Sequence, residues 1–214
     1  MQWCLVVYDC RSNTVGKYMF SALKSSELII NSILSDAENS EPDEISRGKR
    51  RYKFYKNDSR VVYLLLEGDF CLKTKGNNKI LSILSAPYII GFIPSSQEVP
   101  LYLERVDYGK IKHIDYDSFW KFVNEKKMVD EVMNIMSAQY TDLMNVISLN
   151  KSTSSEEVRA LVQRWQKIPQ HLQKRFSVMY LIENSSDLSK SSISRVLKEM
   201  KESGEISLDR GRFD

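Results

Sequence analysis

The hydrophobic pattern changes period along the chain. Trp3 to Tyr8 (WCLVVY) is a continuous apolar run of strand length, and Phe20, Leu23, Leu28, Ile29 and Ile33 then recur at helical spacing. Glu38 to Glu44 is acidic and interrupted by Pro42, which predicts a loop. In the basic block Arg47 to Lys56, Tyr52 and Phe54 alternate with Arg51 and Lys53. Cations interleaved with aromatics can bind nucleic acid, but a period of two is that of a half-buried strand, and the strand is the preferred reading.

Arg60 to Ile114 shows no helical period. Val61 to Leu66 (VVYLLL) is a strand ending at Glu67-Gly68, FCLKTK leads into a Gly76-Asn77-Asn78 turn, and KILSIL returns as its hairpin partner. YIIGFI, LYLERV and GKIKHI follow at intervals that predict a sandwich or barrel.

From Met128 to Leu149 the period is helical again, with no Pro or Gly. Val129, Met133, Met136, Tyr140, Leu143 and Ile147 lie at alternating spacings of four and three, a heptad seam that suits two packed helices. Val132, Ile135 and Val146 form an adjacent stripe that can face the chain's own sheet, so the apolar arc is wide enough for two partners.

After a flexible NKSTSS, Ser154 and Glu157 are spaced as a capping box. Val158, Leu161, Val162, Trp165 and Ile168 mark one helix. Pro169 opens a second, lined by Leu172, Phe176 and Met179 and continued by Leu181 and Ile182. Ser189 then caps a third helix. Ile193, Val196, Leu197 and Met200 form its apolar face, and Lys190, Ser191, Ser194, Arg195 and Lys198 lie largely on the other. Gly204 stops that helix, and the β-prone Ile206 and Leu208 follow. A short helix with cations and small hydroxyls on one face suits a DNA major groove: the cations meet phosphates and guanine edges, and the hydroxyls permit close approach. On charge alone a solvated surface helix explains the same residues. The order of cap, helix, glycine stop and strand favours the recognition helix and wing of a winged helix-turn-helix.

Composition narrows the class. Of 214 residues, 42% are hydrophobic and 28% charged, as in a globular protein. The net charge of +3 lies entirely after Asn150, where 12 Lys and Arg oppose 9 Asp and Glu; the preceding residues hold the remaining 19 and 19. A neutral N-terminal part thus joins a modestly basic C-terminal one. Cys4, Cys10 and Cys71 have no metal-ligand spacing, which implies reduced thiols, and no signal peptide or membrane-length apolar run is present, so a cytoplasmic location with no membrane partner is expected. No nucleophile–base pair, glycine-rich phosphate loop or paired catalytic carboxylates can be recognised, and no enzyme is expected.

The segment LSKSSISRVLKEMKESGEISL resembles the DNA-binding end of Crp/Fnr-type bacterial transcription regulators, in which a helix of the form (L/C)S-x-x-x-(V/I)-x-R-x-L precedes a G-x-I wing entry. VYLLLEGDFCLKTKGNNKILSILSAPYIIGF resembles the sensor domain of that family, with Gly68 and Gly91 at its turn positions. The likeness runs from about Arg47 to the C-terminus. It implies an α+β architecture: an N-terminal cupin-like β jelly roll with an N-terminal extension over residues 1–126, a long connecting helix used for homodimerisation over 127–150, and a winged helix-turn-helix over 151–214.

It also implies that Lys190, Ser191 and Arg195 read bases, with Ser189 and Ser192 near phosphates. Ser191 stands where many relatives carry an acidic residue, so the preferred DNA site should differ. Relatives that bind cyclic nucleotides use a Glu after the second glycine and an Arg that pairs with the phosphate. Here Gly91 is followed by Phe92, Ile93 and Pro94, and Arg105 lies inside the LYLERV strand. No cyclic nucleotide is expected. Neither is an iron–sulfur cluster, which needs four thiolates, nor haem, for which His113 and His171 are poor ligands. A redox role for Cys71 has only Lys73 nearby to support it. No cofactor is expected.

After Asp209-Arg210-Gly211 the return strand of the wing has barely begun, so the wing is either cut short or rudimentary. The leading reading is a dimeric, sequence-specific DNA-binding regulator. The alternative is a ligand-sensing or protein-interaction module that has lost independent DNA binding.

Overall fold

Two long antiparallel strands organise the first half of the computed structural model, which describes residues 15–35, 43–44, 50–56, 59–93, 100–148 and 153–214. The expected strand Trp3–Tyr8, most of the acidic loop, Arg47 to Lys49, Pro94 and residues 150–152 lie outside the described residues, as do Cys4 and Cys10.

Strand β4 (Ser59–Thr74) pairs along most of its length with β7 (Leu101–Asp115). Each was expected as two shorter strands. The break read at Glu67-Gly68 is a register shift within one strand: Gly68 takes φ +87°, and a Cβ there would lie 2.1 Å from the Tyr108 carbonyl oxygen. A side chain cannot fit, so glycine lets the strands cross closely while pairing resumes at Phe70.

The hairpin predicted at the Gly76-Asn77-Asn78 turn is present, with β5 (Ile80–Ser85) pairing back onto β4. β1 (Asp43–Glu44) and β2 (Arg51–Lys53) pair with β7, while β3 (Tyr55–Lys56) and β6 (Tyr88–Ile90) pair with β4. The result is one curled antiparallel half-barrel. Tyr52 and Phe54 are buried and Arg51 and Lys53 exposed, as the alternation predicted. Tyr52, Phe54, Tyr63, Phe70 and Leu103 fill the barrel core.

Helices α1 (Val15–Ser35), α2 (Tyr116–Glu125) and α3 (Val129–Ile147) close one side. Ile29 and Ile33 of α1 meet Phe119 and Val123 of α2 and Val132 and Ile135 of α3, all fully buried. Helix α2 was not anticipated. Asp115 caps it by accepting from the backbone N–H groups of Asp117 and Ser118.

The C-terminal part contains α4 (Ser154–Trp165), α5 (Gln170–Arg175), α6 (Val178–Glu183) and α7 (Lys190–Glu202), then a ribbon of β8 (Leu208–Asp209) and β9 (Arg212–Phe213). Three local expectations are corrected. The capping box starts one residue earlier: Thr153 Oγ1 accepts from Glu156 N and donates to the Glu156 carboxylate. Pro169 is the cap preceding α5, not its first residue. The helix expected through Met179 is two, because Phe176 is extended and Ser177 caps a new turn at Tyr180 N.

Candidate nucleic-acid interface and neighbouring cavities

Helix α7 is held by its apolar face. Ile193, Val196, Leu197 and Met200 are buried against Val158, Leu161, Val162 and Trp165 of α4 and Val178, Leu181 and Ile182 of α6. Ser189 Oγ accepts from Ser192 N at 3.2 Å and lies 2.9 Å from the hydroxyls of Ser191 and Ser192, so the first turn is tied down by its own serines. The opposite face is open. Lys190, Ser191, Ser194, Arg195 and Lys198 are exposed, and Ser192 is half-buried at the rim.

Each cation on that face has a local carboxylate. Arg195 Nη1 is 2.9 Å from Glu199 Oε1, Lys190 Nζ is 3.1 Å from Glu183 Oε1, and Lys198 Nζ is 3.7 Å from Glu202 Oε1. Exposed pairs of this kind are worth about 0.2–1 kcal/mol, little enough to be exchanged for a phosphate or a base edge. Along α7, Lys190, Arg195, Lys198 and Lys201 oppose Glu199 and Glu202, which leaves a net +2.

The ribbon beside α7 consists of two short paired strands. Leu208 pairs with Phe213 and Asp209 with Arg212, across a turn whose two residues, Arg210 and Gly211, have φ +46° and +78°. This is the two-residue turn that matches strand twist. Phe213 is buried in the helical core and anchors the return strand, leaving Arg210 and Arg212 exposed. The return strand, expected to be barely begun, is present as β9 and adds Arg212 to the Arg210 of the turn; Arg210-Gly211, followed by an apolar residue two places on, is the sequence signal for it.

On α3 the two predicted stripes separate. Val132 and Ile135 are buried against α1 and α2, and Val146 is half-buried. Of the heptad seam, Val129, Met133, Tyr140, Leu143 and Ile147 are 40–62% exposed and Met136 half-buried. An apolar strip along the length of the helix thus faces outward from the single chain.

Between α3 and the barrel is a cavity of about 200 Å³, walled by Phe54, Leu84, Tyr88, Ile90 and Gly91 and closed by Gln139, Asp142 and Leu143 of α3. Two of its polar groups are engaged with the surrounding protein. Gln139 Nε2 donates to the Ile89 carbonyl at 3.0 Å, and the Arg60 guanidinium lies 3.9 Å over the Tyr116 ring. Burial pushes the Tyr88 phenol well above its usual range. Desolvation raises the Asp142 carboxyl, against the pull of the Arg164 guanidinium. Arg105 lines a different cavity, and Phe92 is buried among the helices, so neither meets Gly91 at a common phosphate site.

The C-terminal part is docked on the β4–β5 hairpin. Ile80 N donates to Asn184 O at 2.6 Å, Lys79 Nζ donates to the Glu183 and Ser186 carbonyls, Arg164 donates to the Leu81 carbonyl, and His171 Nε2 lies 2.9 Å from Asp69 Oδ2. Cys71 is buried at this contact, and no group of three or more His, Cys, Asp or Glu among the described residues could hold a metal ion. No helix among the described residues is long and apolar enough to cross a membrane.

No protein-family profile and no curated protein matches the chain. Solved structures do match its fold. The c-di-GMP-responsive global regulator CLP of Xanthomonas campestris superposes with a TM-score of 0.60 at 15% identity, over 87% of this chain and 97% of that one. A CooA double mutant from Carboxydothermus hydrogenoformans gives 0.55 at 17% identity, over 78% and 81%. A regulator of the Crp/Fnr family from Eubacterium rectale gives 0.52 at 14% identity, over 89% and 90%. The fold is that of Crp/Fnr-type transcription regulators.

Proposed function

We propose that this chain is a cytoplasmic, non-enzymatic transcription regulator that binds double-stranded DNA as a homodimer and reads its sequence with α7. The observation that carries the reading is the division of α7 into two faces. A buried apolar stripe fixes the helix, and Lys190, Ser191, Ser194, Arg195 and Lys198 are exposed opposite it. In this reading residues 151–214 form a winged helix-turn-helix, with α6 and α7 as its helix pair and β8–β9 as its wing. Residues 1–126 hold a cupin-like sensor domain with an N-terminal extension, and the helix within 127–150 forms the dimer axis. Lys190, Ser191 and Arg195 contact base edges. Ser189, Ser192, Ser194 and Lys198 lie along the phosphates, joined by Arg210 of the ribbon.

The exposed strip on α3 supports the dimer. A monomer has little reason to keep Met133, Tyr140, Leu143 and Ile147 in water at heptad spacing, whereas two copies packed seam to seam remove them from it. A two-fold dimer also presents two copies of α7, which a palindromic site requires. The cavity behind α3 is largely apolar and the Arg60 in its wall is stacked on an aromatic ring, so any effector there is a small, largely apolar molecule and not a cyclic nucleotide.

Selection from a random duplex pool, with sequencing of the retained DNA, tests the proposal. Enrichment of a palindrome supports it. Salt-sensitive retention with no motif would favour the second reading, an interaction or ligand-sensing module without independent DNA reading, for which the local carboxylate on each α7 cation is the evidence.

A further inference from the structure

A second cavity, about 340 Å³ in volume, lies where the barrel meets the C-terminal helices. Its walls come from both parts: Cys71 of β4 and Arg105 of β7 on one side, Arg175, Tyr180 and Arg212 on the other. Among the described lining residues three are arginines and one, Glu104, is acidic, lying 2.6 Å from Lys73 and 3.4 Å from Arg51. Arg105 is 1% exposed. Its guanidinium therefore sits in a poorly solvated space, where an anion is attracted more strongly than in water. Arg175 reaches Asp107 at 2.8 Å on the exposed side, a pair that is inexpensive to rearrange. Burial keeps the Tyr180 phenol protonated, so it can donate a hydrogen bond.

We propose that this cavity is a binding site for a small, multiply charged oxyanion of the phosphate or polycarboxylate class, gripped by Arg105, Arg175 and Arg212. Planar guanidinium forks match such groups in pairs, and the volume holds a molecule of metabolite size. Because the walls belong to different parts of the chain, an occupant clamps the C-terminal helices in the docked position. The site is separate from the α7 surface, and it stands or falls independently of DNA reading.

The test uses the full chain without DNA. Thermal unfolding is followed against increasing pyrophosphate and, separately, citrate, with sodium chloride at matched ionic strength as control. The expected result is a saturable rise in Tm with at least one of the two anions, absent with chloride; which of them acts assigns the phosphate or the carboxylate source. Arg175→Gln and Arg212→Gln, both on exposed side chains, should each weaken the apparent affinity by roughly tenfold, since hydrogen bonds to charged groups contribute at about that level. Lys121→Gln, remote on α2, should leave it unchanged. Arg105→Gln should abolish the effect, and the two exposed variants keep the test decisive if that variant does not fold. No saturable rise beyond the chloride control, or the same rise in Arg175→Gln and Arg212→Gln as in Lys121→Gln, would overturn the proposal.

Discussion

The Lys73 ammonium lies 2.6 Å from a Glu104 carboxylate oxygen, with both side chains less than a tenth exposed. Cys71 is paired with Glu104 and Lys73 with Tyr102 across β4 and β7, so Lys73 and Glu104 are diagonal neighbours on one face of the sheet. Removing one partner strands the other charge in the protein interior. Glu104→Ala should therefore cost about 3–5 kcal/mol in urea unfolding, while the double change Lys73→Met with Glu104→Leu should cost far less. A cost for Glu104→Ala below about 1 kcal/mol would show the pair to be solvated.

The same pair sets an alkaline limit. Burial is the largest single effect on the Lys73 ammonium and pulls it down, but the hydrogen bond to Glu104 together with the charges of Tyr180, Glu104 and Cys71 outweighs it and holds its pKa above the usual lysine value. A lysine raised on folding contributes stability that is complete below the unfolded value, about 10.4, and is lost as pH rises through the folded one. Between pH 7 and 9 this contribution should be flat, with a fall only above about pH 10.4; in Lys73→Met that alkaline component should be missing.

Tyr140 and Leu143 test the dimer. Both are exposed on the single chain, at 62% and 47%, so Glu at each should leave the monomer folded and place like charges against each other across the seam. Light scattering should report monomers for the double variant. A persistent dimer would put the interface elsewhere.

Ser189 has two separable roles. Ser189→Ala removes the cap of α7 and should cost about 1 kcal/mol. Ser189→Asp restores the cap, so its stability should match the parent, but its added charge faces phosphate and should weaken DNA binding. Equal DNA affinity for Ser189→Asp and the parent would remove Ser189 from the interface.

The cavity behind α3 makes a negative prediction. With Phe92 buried and Arg60 stacked on Tyr116, calorimetry with cyclic AMP or cyclic GMP should show no stoichiometric heat. Tight binding would require Arg60 to leave its ring.

Periodic features were the legible ones. Tyr52 and Phe54 alternate inward, α3 separates into its two stripes, and α7 runs from the Ser189 cap to the Gly204 stop, because each depends on local spacing. What failed depended on tertiary neighbours. Glu67-Gly68 looked like a strand end, and only the close approach of Tyr108 shows why a glycine continues the strand. Helix α2 was hidden because Tyr116, Phe119, Trp120 and Phe122 are poor helix formers, and its helicity follows from the Asp115 cap and from burying Phe119 and Val123. The cavity of arginines was invisible because Arg105 and Arg212 are distant in sequence and meet only when the C-terminal helices dock.

Arg195 carries the central claim. On the free protein it pairs with Glu199 at 2.9 Å, an interaction along one helix worth only about 0.2–0.5 kcal/mol. A bidentate guanine contact is worth about 1–3 kcal/mol per half-site, and a dimer makes two. The decisive measurement is a gel-shift titration of the selected DNA site with Arg195→Ala, alongside Lys198→Ala across a salt series. Arg195→Ala, still folded, should nearly abolish specific binding, and Lys198→Ala should weaken binding on all sequences and lower the salt slope by about one per contact. If folded Arg195→Ala binds the selected site as tightly as the parent, α7 does not read DNA.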